Sequence, residues 1–168
     1  MKKWFAALFG ALLMIAIPST AASASDSCDE VCEWVGETAW VKGADYDGPN
    51  WAMYHVLADD HDTDTEIPLV VGRKHTPVGN IRIFPDAESG TATIWIFFDV
   101  AGAYFEEGNA IHIQWYGSTP TVRNPAPGQF DIHVDPASSR YAMITGVPYD
   151  PDGDNFYGIH ADVLVLAD

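Results

Sequence analysis

The stretch Thr91-Ala92-Thr93-Ile94-Trp95-Ile96-Phe97-Phe98 decides the fold. Ile94, Ile96 and Phe98 fall on one parity, Trp95 and Phe97 on the other, and a period of two means one face packs while the other meets solvent. The same alternation recurs outward in both directions. Upstream, Ile81 and Ile83 bracket Arg82; downstream, Ile111, Ile113 and Trp115 alternate with His112 and Gln114, and Phe130, Ile132 and Val134 alternate with Asp131, His133 and Asp135. Residues 51–57, 68–71, 141–147 and 156–166 read as further strands. Turn-forming clusters such as Asp47-Gly48-Pro49-Asn50 and Asn124-Pro125-Ala126-Pro127-Gly128 separate them. From Thr38 onward no segment carries a convincing helical stripe. Without crossover helices the strands have to be joined antiparallel. The expected fold is all-β, an antiparallel β-sandwich of about eight or more strands, with a closed barrel as the alternative.

The chain has 168 residues, the length of one domain, and is 48% hydrophobic and 19% charged, which excludes a disordered acidic tail. A formal net charge of -16 argues against binding nucleic acid, whose phosphates such a field repels. Met1-Lys2-Lys3, the apolar run from Trp4 to Ile17 and the small residues Ala22-Ser23-Ala24 read as a secretory signal peptide. The run falls short of the ~20 apolar residues a spanning helix needs. Removing residues 1–24 takes away Lys2 and Lys3 and no acid, leaving six basic against 24 acidic residues, a net charge of -18. The product is expected to be secreted, periplasmic or on the cell surface, with no membrane insertion after cleavage. Residues 25–36 read as an N-terminal lead and 37–168 as the sandwich domain. Cys28 and Cys32 are the two cysteines, and in an oxidising compartment they are expected to pair as a disulfide that closes a very small loop.

Three patterns could hold a metal. Asp150, Asp152 and Asp154 surround Gly153 at the spacing that lets a tight loop aim several oxygens at Ca2+, although the twelfth position of an EF-hand loop would be Ala161 and not Glu. Asp60, Asp62 and Asp64 repeat the spacing without the glycine. The competing reading of both is a solvated acidic turn. The third pattern is Ile111-His112-Ile113-Gln114, Ile132-His133-Val134-Asp135 and Ile159-His160-Ala161-Asp162. Each histidine and the residue two places on share the face opposite the aliphatic side chains. If the three strands are neighbours, His112, His133 and His160 with the nearby carboxylates could bind Zn2+ or Cu2+. Scatter over two outer faces is the alternative.

Trp51, Trp95 and Trp115 lie in strand segments and are expected in the core, while Tyr116 and Tyr149 are the candidates for exposed rings that stack on a sugar. No G-x-S-x-G or H-E-x-x-H is present, and no catalytic residue is nominated. The phrases Glu37-Thr38-Ala39-Trp40, Asn50-Trp51-Ala52-Met53-Tyr54, the segment from Asn124 to Phe130 and the segment from Asn155 to Val163 resemble a family of secreted bacterial and archaeal surface modules. The resemblance spans Glu37 to Val163 and departs at Val71-Gly72-Arg73. It implies an exported β-rich domain and transfers no catalytic residue. The function expected is a non-catalytic secreted or cell-surface module in a structural, matrix or adhesion role, with Ca2+ as the candidate cofactor and an extracellular protein or glycan as partner. A carbohydrate-binding module is the alternative, and a secreted hydrolase comes third.

Overall fold

The computed structural model describes residues 33–58, 62–98, 102–136 and 138–167. The signal segment, Cys28, Cys32 and Asp60 lie outside them. Within them the alternating segments form eleven strands: β1 (Trp34–Val41), β2 (Ala44–Asp45), β3 (Met53–Leu57), β4 (Ile67–Val71), β5 (Thr76–Asp86), β6 (Thr91–Phe97), β7 (Ala103–Phe105), β8 (Ile111–Tyr116), β9 (Ile132–Val134), β10 (Tyr141–Pro148) and β11 (Asn155–Leu166). One 3-10 turn, Pro127–Gln129, interrupts them. No α-helix occurs among the described residues. β1 enters the sheet at Trp34, where Trp34 and Val35 face Leu166 and Val165, so strand pairing reaches into the segment read as a lead.

All pairings are antiparallel, and the strands run in the order β10-β6-β5-β4-β1-β11-β3-β2. β11 is the hub. β1 and β3 share one of its edges, while β8 and β7 take the other, and β9 adds to β8. The apolar parity of each strand fixes what the sheet encloses. Leu69, Ile81, Ile83, Ile94 and Ile96 from one limb pack with Ala39, Ile111, Ile113, Ile159 and Ala161 from the other, in one core between sandwich-like layers. Burying each aliphatic side chain stabilises the fold by roughly 1.5–3 kcal/mol before entropy is counted. Trp95 does not join them. It is 43% exposed, because Ile94 and Ile96 take the inward parity and leave the indole outside.

A second cluster lies on the opposite face of β1 and β11. Trp40, Tyr46, Tyr54, Phe130 and Phe156 pack there, partly under the loop that carries Phe130. Gly158 makes this possible. A side chain at that position would run into the Tyr46 hydroxyl, so Tyr46 and Phe130 lie directly against the β11 backbone. The covering loop buries polar residues of β8 and β11 that would otherwise sit on an open sheet face.

Candidate metal centre

The three histidine strands are neighbours. In the order β9-β8-β11, His133 faces His112 and His112 faces His160 across the two pairings. Ile111, Ile113, Ile159 and Ala161 occupy the inward parity, so the histidines share the outer face. That face is covered at β8 and β11 and open at β9: His112 and His160 are buried, with His160 only 4% exposed, whereas His133 is exposed. The His160 ring packs edge-on with Trp40 at 5.0 Å, and the His112 ring lies 5.5 Å from it.

Asp162 completes the group from two residues along β11. Its Oδ2 lies 3.5 Å from His112 Nε2 and its Oδ1 lies 3.7 Å from His160 Nε2. One ligand atom each from His112, His160 and Asp162 fall within 4.8 Å of one another. A tetrahedral ion with ~2.0–2.1 Å bonds needs ligand atoms about 3.3 Å apart, so the edges to the two carboxylate oxygens would close by a few tenths of an ångström, whereas a set spread over as much as 4.8 Å would have to draw in by about 1.5 Å at its widest edge.

With His133 and His112 neutral, hydrogen bonding sets which of their nitrogens are bare. His133 Nε2 lies 2.6 Å from the Phe130 carbonyl, which can only accept, so the proton of a neutral His133 is on Nε2. Its Nδ1 then accepts, and His112 Nδ1 at 3.1 Å must donate to it. The proton of neutral His112 is thereby committed, leaving the Nε2 lone pair aimed at a carboxylate oxygen. Two acceptors facing one another repel unless a donor hydrogen or a cation lies between them. His160 is not fixed in this way: its Nδ1 is buried without a hydrogen-bond partner and its Nε2 faces Asp162, so no contact sets which nitrogen carries the proton. Burial pushes the His160 imidazole down to about 4, with the Asp162 charge opposing the shift and His112 reinforcing it. Burial also lowers His112, against the pull of Asp162. Both rings are therefore neutral at pH 7, the form that ligates a metal.

The structure separates the roles of the three sequence-nominated histidines. His112 and His160 face the carboxylate, whereas His133 sits behind His112 and holds its tautomer, as an outer partner does for a metal-ligating imidazole. Of the residues two places on, only Asp162 joins. Gln114 instead pairs with Asp131, donating to its Oδ2 at 2.7 Å and accepting from its backbone N–H at 3.1 Å. Asp135 lines a separate cavity with Glu106 and Glu107. The anchoring Phe130 carbonyl carries no sequence signal, because a backbone oxygen is present at every position.

The other nominated residues lie elsewhere. Asp150, Asp152 and Asp154 are exposed around a loop that is closed by its own hydrogen bonds. Asn155, which is buried, accepts from the Asp150 N–H at 2.8 Å and donates to the carbonyls of Asp150 and Gly153. Asp150 Oδ1 accepts from the Asp152 N–H. Asp62 caps a turn by accepting from the Asp64 N–H, and Asp64 approaches Arg82 at 3.8 Å. Neither acidic set forms a three-ligand group among the described residues. Tyr116 and Tyr149 are half-buried rather than exposed. Tyr116 packs on the aromatic cluster and accepts from the Tyr46 hydroxyl at 3.3 Å, and Tyr149 packs against the main core. Trp115 is half-buried too, its indole N–H donating to Asn155. Comparison with family models, curated proteins and solved structures returned no match, so the roles of these residues rest on the geometry of this chain.

Proposed function

We propose that this chain is an exported, non-catalytic β-sandwich module that holds a transition metal ion, Zn2+ or Cu2+, between His112, His160 and Asp162, with His133 orienting His112. The reading is carried by the contacts that link the Phe130 carbonyl, His133 and His112, which with both imidazoles neutral leave the His112 Nε2 lone pair facing a carboxylate. Imidazole nitrogen and carboxylate oxygen are donors suited to these ions. A structural role is favoured because both imidazole ligands are buried, leaving only Asp162 partly open to solvent. An ion there would stitch β8 to β11 at the centre of the sheet. The export half of the reading is supported by the charged start, apolar run and Ala22-Ser23-Ala24 of the sequence and by its resemblance to secreted surface modules.

Calorimetric titration of EDTA-treated protein with ZnSO4 and with CuSO4 tests it. One equivalent of either ion is expected to bind, with a rise in melting temperature. Asp162→Ala and His160→Ala should abolish binding, and His133→Phe should weaken it by about 10–100-fold. Absence of heat and of any thermal shift with both ions would overturn the assignment.

A further inference from the structure

Two cavities meet at Trp51. One, of about 250 Å³, is lined by Asp45, Asn50, Trp51, Arg73 and His75 among others. The second, of about 320 Å³, shares Asn50, Trp51 and Arg73 and continues to Thr38 and His160. Trp51 is half-buried, backed by the aromatic cluster on one side, so its indole is held in place where the cavities converge. Its neighbour His75 lies 5.9 Å away at an interplanar angle of 39°.

The backbone of His75 has φ +54°, the one non-glycine residue in the left-handed region among the described residues. Such a conformation costs about 1–2 kcal/mol for most residues. The His75 N–H donates to the Gly72 carbonyl at 3.0 Å, closing the turn between β4 and β5. That turn presents Arg73, Lys74 and His75 consecutively in a chain with 24 acidic and eight basic residues. Arg82 pairs with Glu66 and Arg123 with Asp47, whereas Arg73 is exposed and makes no ion pair among the described residues. Asp45 lines the first cavity, whereas the second holds Arg73 with no carboxylate in its lining, so the second, beside a fixed indole, is complementary to a ligand that carries an anionic group next to a flat apolar face.

We propose that this groove binds a carboxylate-bearing saccharide, a uronic-acid residue of an extracellular polysaccharide, with the C–H face of the pyranose on Trp51 and the carboxylate on Arg73. The Asn50 amide, which reaches both cavities, and the Thr38 hydroxyl supply donors and acceptors for ring hydroxyls. Arg suits the carboxylate because its planar fork makes two parallel charge-assisted hydrogen bonds. The groove borders on His160, a proposed metal ligand, but the contacts proposed for the saccharide are to Trp51, Arg73, Asn50 and Thr38, so the assignment does not require the ion.

The test is titration of EDTA-treated mature protein with trigalacturonate and trimannuronate, followed by tryptophan fluorescence and calorimetry, with maltotriose and sodium acetate as controls. At least one uronate trimer is expected to bind, and maltotriose at least tenfold more weakly. Trp51→Ala is expected to lower affinity about tenfold. Arg73→Gln, at an exposed position that leaves the fold intact, should lower uronate affinity about tenfold while leaving maltotriose binding unchanged. Asp162→Ala should bind the uronate like wild type, which separates failure of this site from failure of the metal centre. Binding of neither uronate, equal binding of maltotriose, an unaffected Arg73→Gln variant, or acetate competing at the same concentration would each overturn the proposal.

Discussion

Gly158→Ala probes how the covering aromatic cluster supports the proposed metal centre. A Cβ at residue 158 would lie well inside contact distance of the Tyr46 hydroxyl, 3.4 Å from Tyr46 Cζ and 3.5 Å from Phe130 Cε2. Tyr46 is buried and donates to Tyr116, and its ring stacks edge-on with Tyr54 at 5.1 Å and with Trp40 at 6.1 Å, so it cannot swing aside alone. Overpacking of this kind costs about 1–3 kcal/mol. For a domain of this size each kcal/mol moves the melting temperature by roughly 3 °C, so a fall of about 3–9 °C is expected. Displacing Phe130 also moves the carbonyl that fixes His133, so Zn2+ affinity should fall with stability. Gly128→Ala is the control, since a Cβ there meets nothing within 4 Å and the residue has no positive φ. Differential scanning calorimetry with and without Zn2+ reads both effects. If Gly158→Ala melts within 1 °C of Gly128→Ala, the close approach of Tyr46 to β11 is wrong, and with it the account of how the loop holds His133.

Two further outcomes follow from the same geometry. The His160 imidazole is pushed down to about 4 by burial, so the unfolded chain takes up a proton at about pH 6.5 that the folded chain refuses until near pH 4. Its contribution is therefore complete above pH 6.5 and is lost as pH falls through that window. At about 1.4 kcal/mol per pH unit, metal-free wild type should lose roughly 2–3 kcal/mol more than His160→Leu between pH 7.5 and 4.5 in urea titrations; parallel losses would contradict the burial. Asn155→Ala removes the side chain that accepts from Asp150 and Trp115 and donates to two loop carbonyls. Equilibrium unfolding should show a destabilisation of about 2–4 kcal/mol, independent of Ca2+; rescue by 1 mM Ca2+ would return the loop to a cation-binding role.

Parity along a strand is a local property, and it was legible. Ile94 with Ile96, Ile111 with Ile113, and Ile159 with Ala161 sort inward because successive Cβ atoms point to opposite faces, and this alone places the histidines on the outer face. Strand order is not local. That β8 lies between β9 and β11 is set by pairings such as His112 with His133 and His112 with His160, whose sequence separations no periodicity encodes. The division of labour among the histidines was hidden for a related reason: three similar phrases gave three equal candidates, and the difference comes from a backbone carbonyl at Phe130. Asn155 shows the opposite limit. Asp150, Asp152 and Asp154 gave the turn its acidic spacing, whereas the hydrogen bonds that close it come from the Asn155 amide, which no carboxylate spacing points to.

The exposed parity of a sheet normally meets water, and polar residues there are inconsequential. Here the loop bearing Phe130 and the ring of Trp40 cover part of that parity, turning an ordinary outer-face pair into a buried one. Burial of His112 limits the solvent that can reach its Nε2, while the Asp162 carboxylate stays partly open. In water the facing acceptors would each take hydrogen bonds from solvent; under the loop that option narrows to the partly open side of Asp162. The same aromatic cover that crowds a side chain at Gly158 thus holds both imidazoles in the neutral form beside a partly open carboxylate, the donor set that the proposed divalent ion would use without either ring having to protonate.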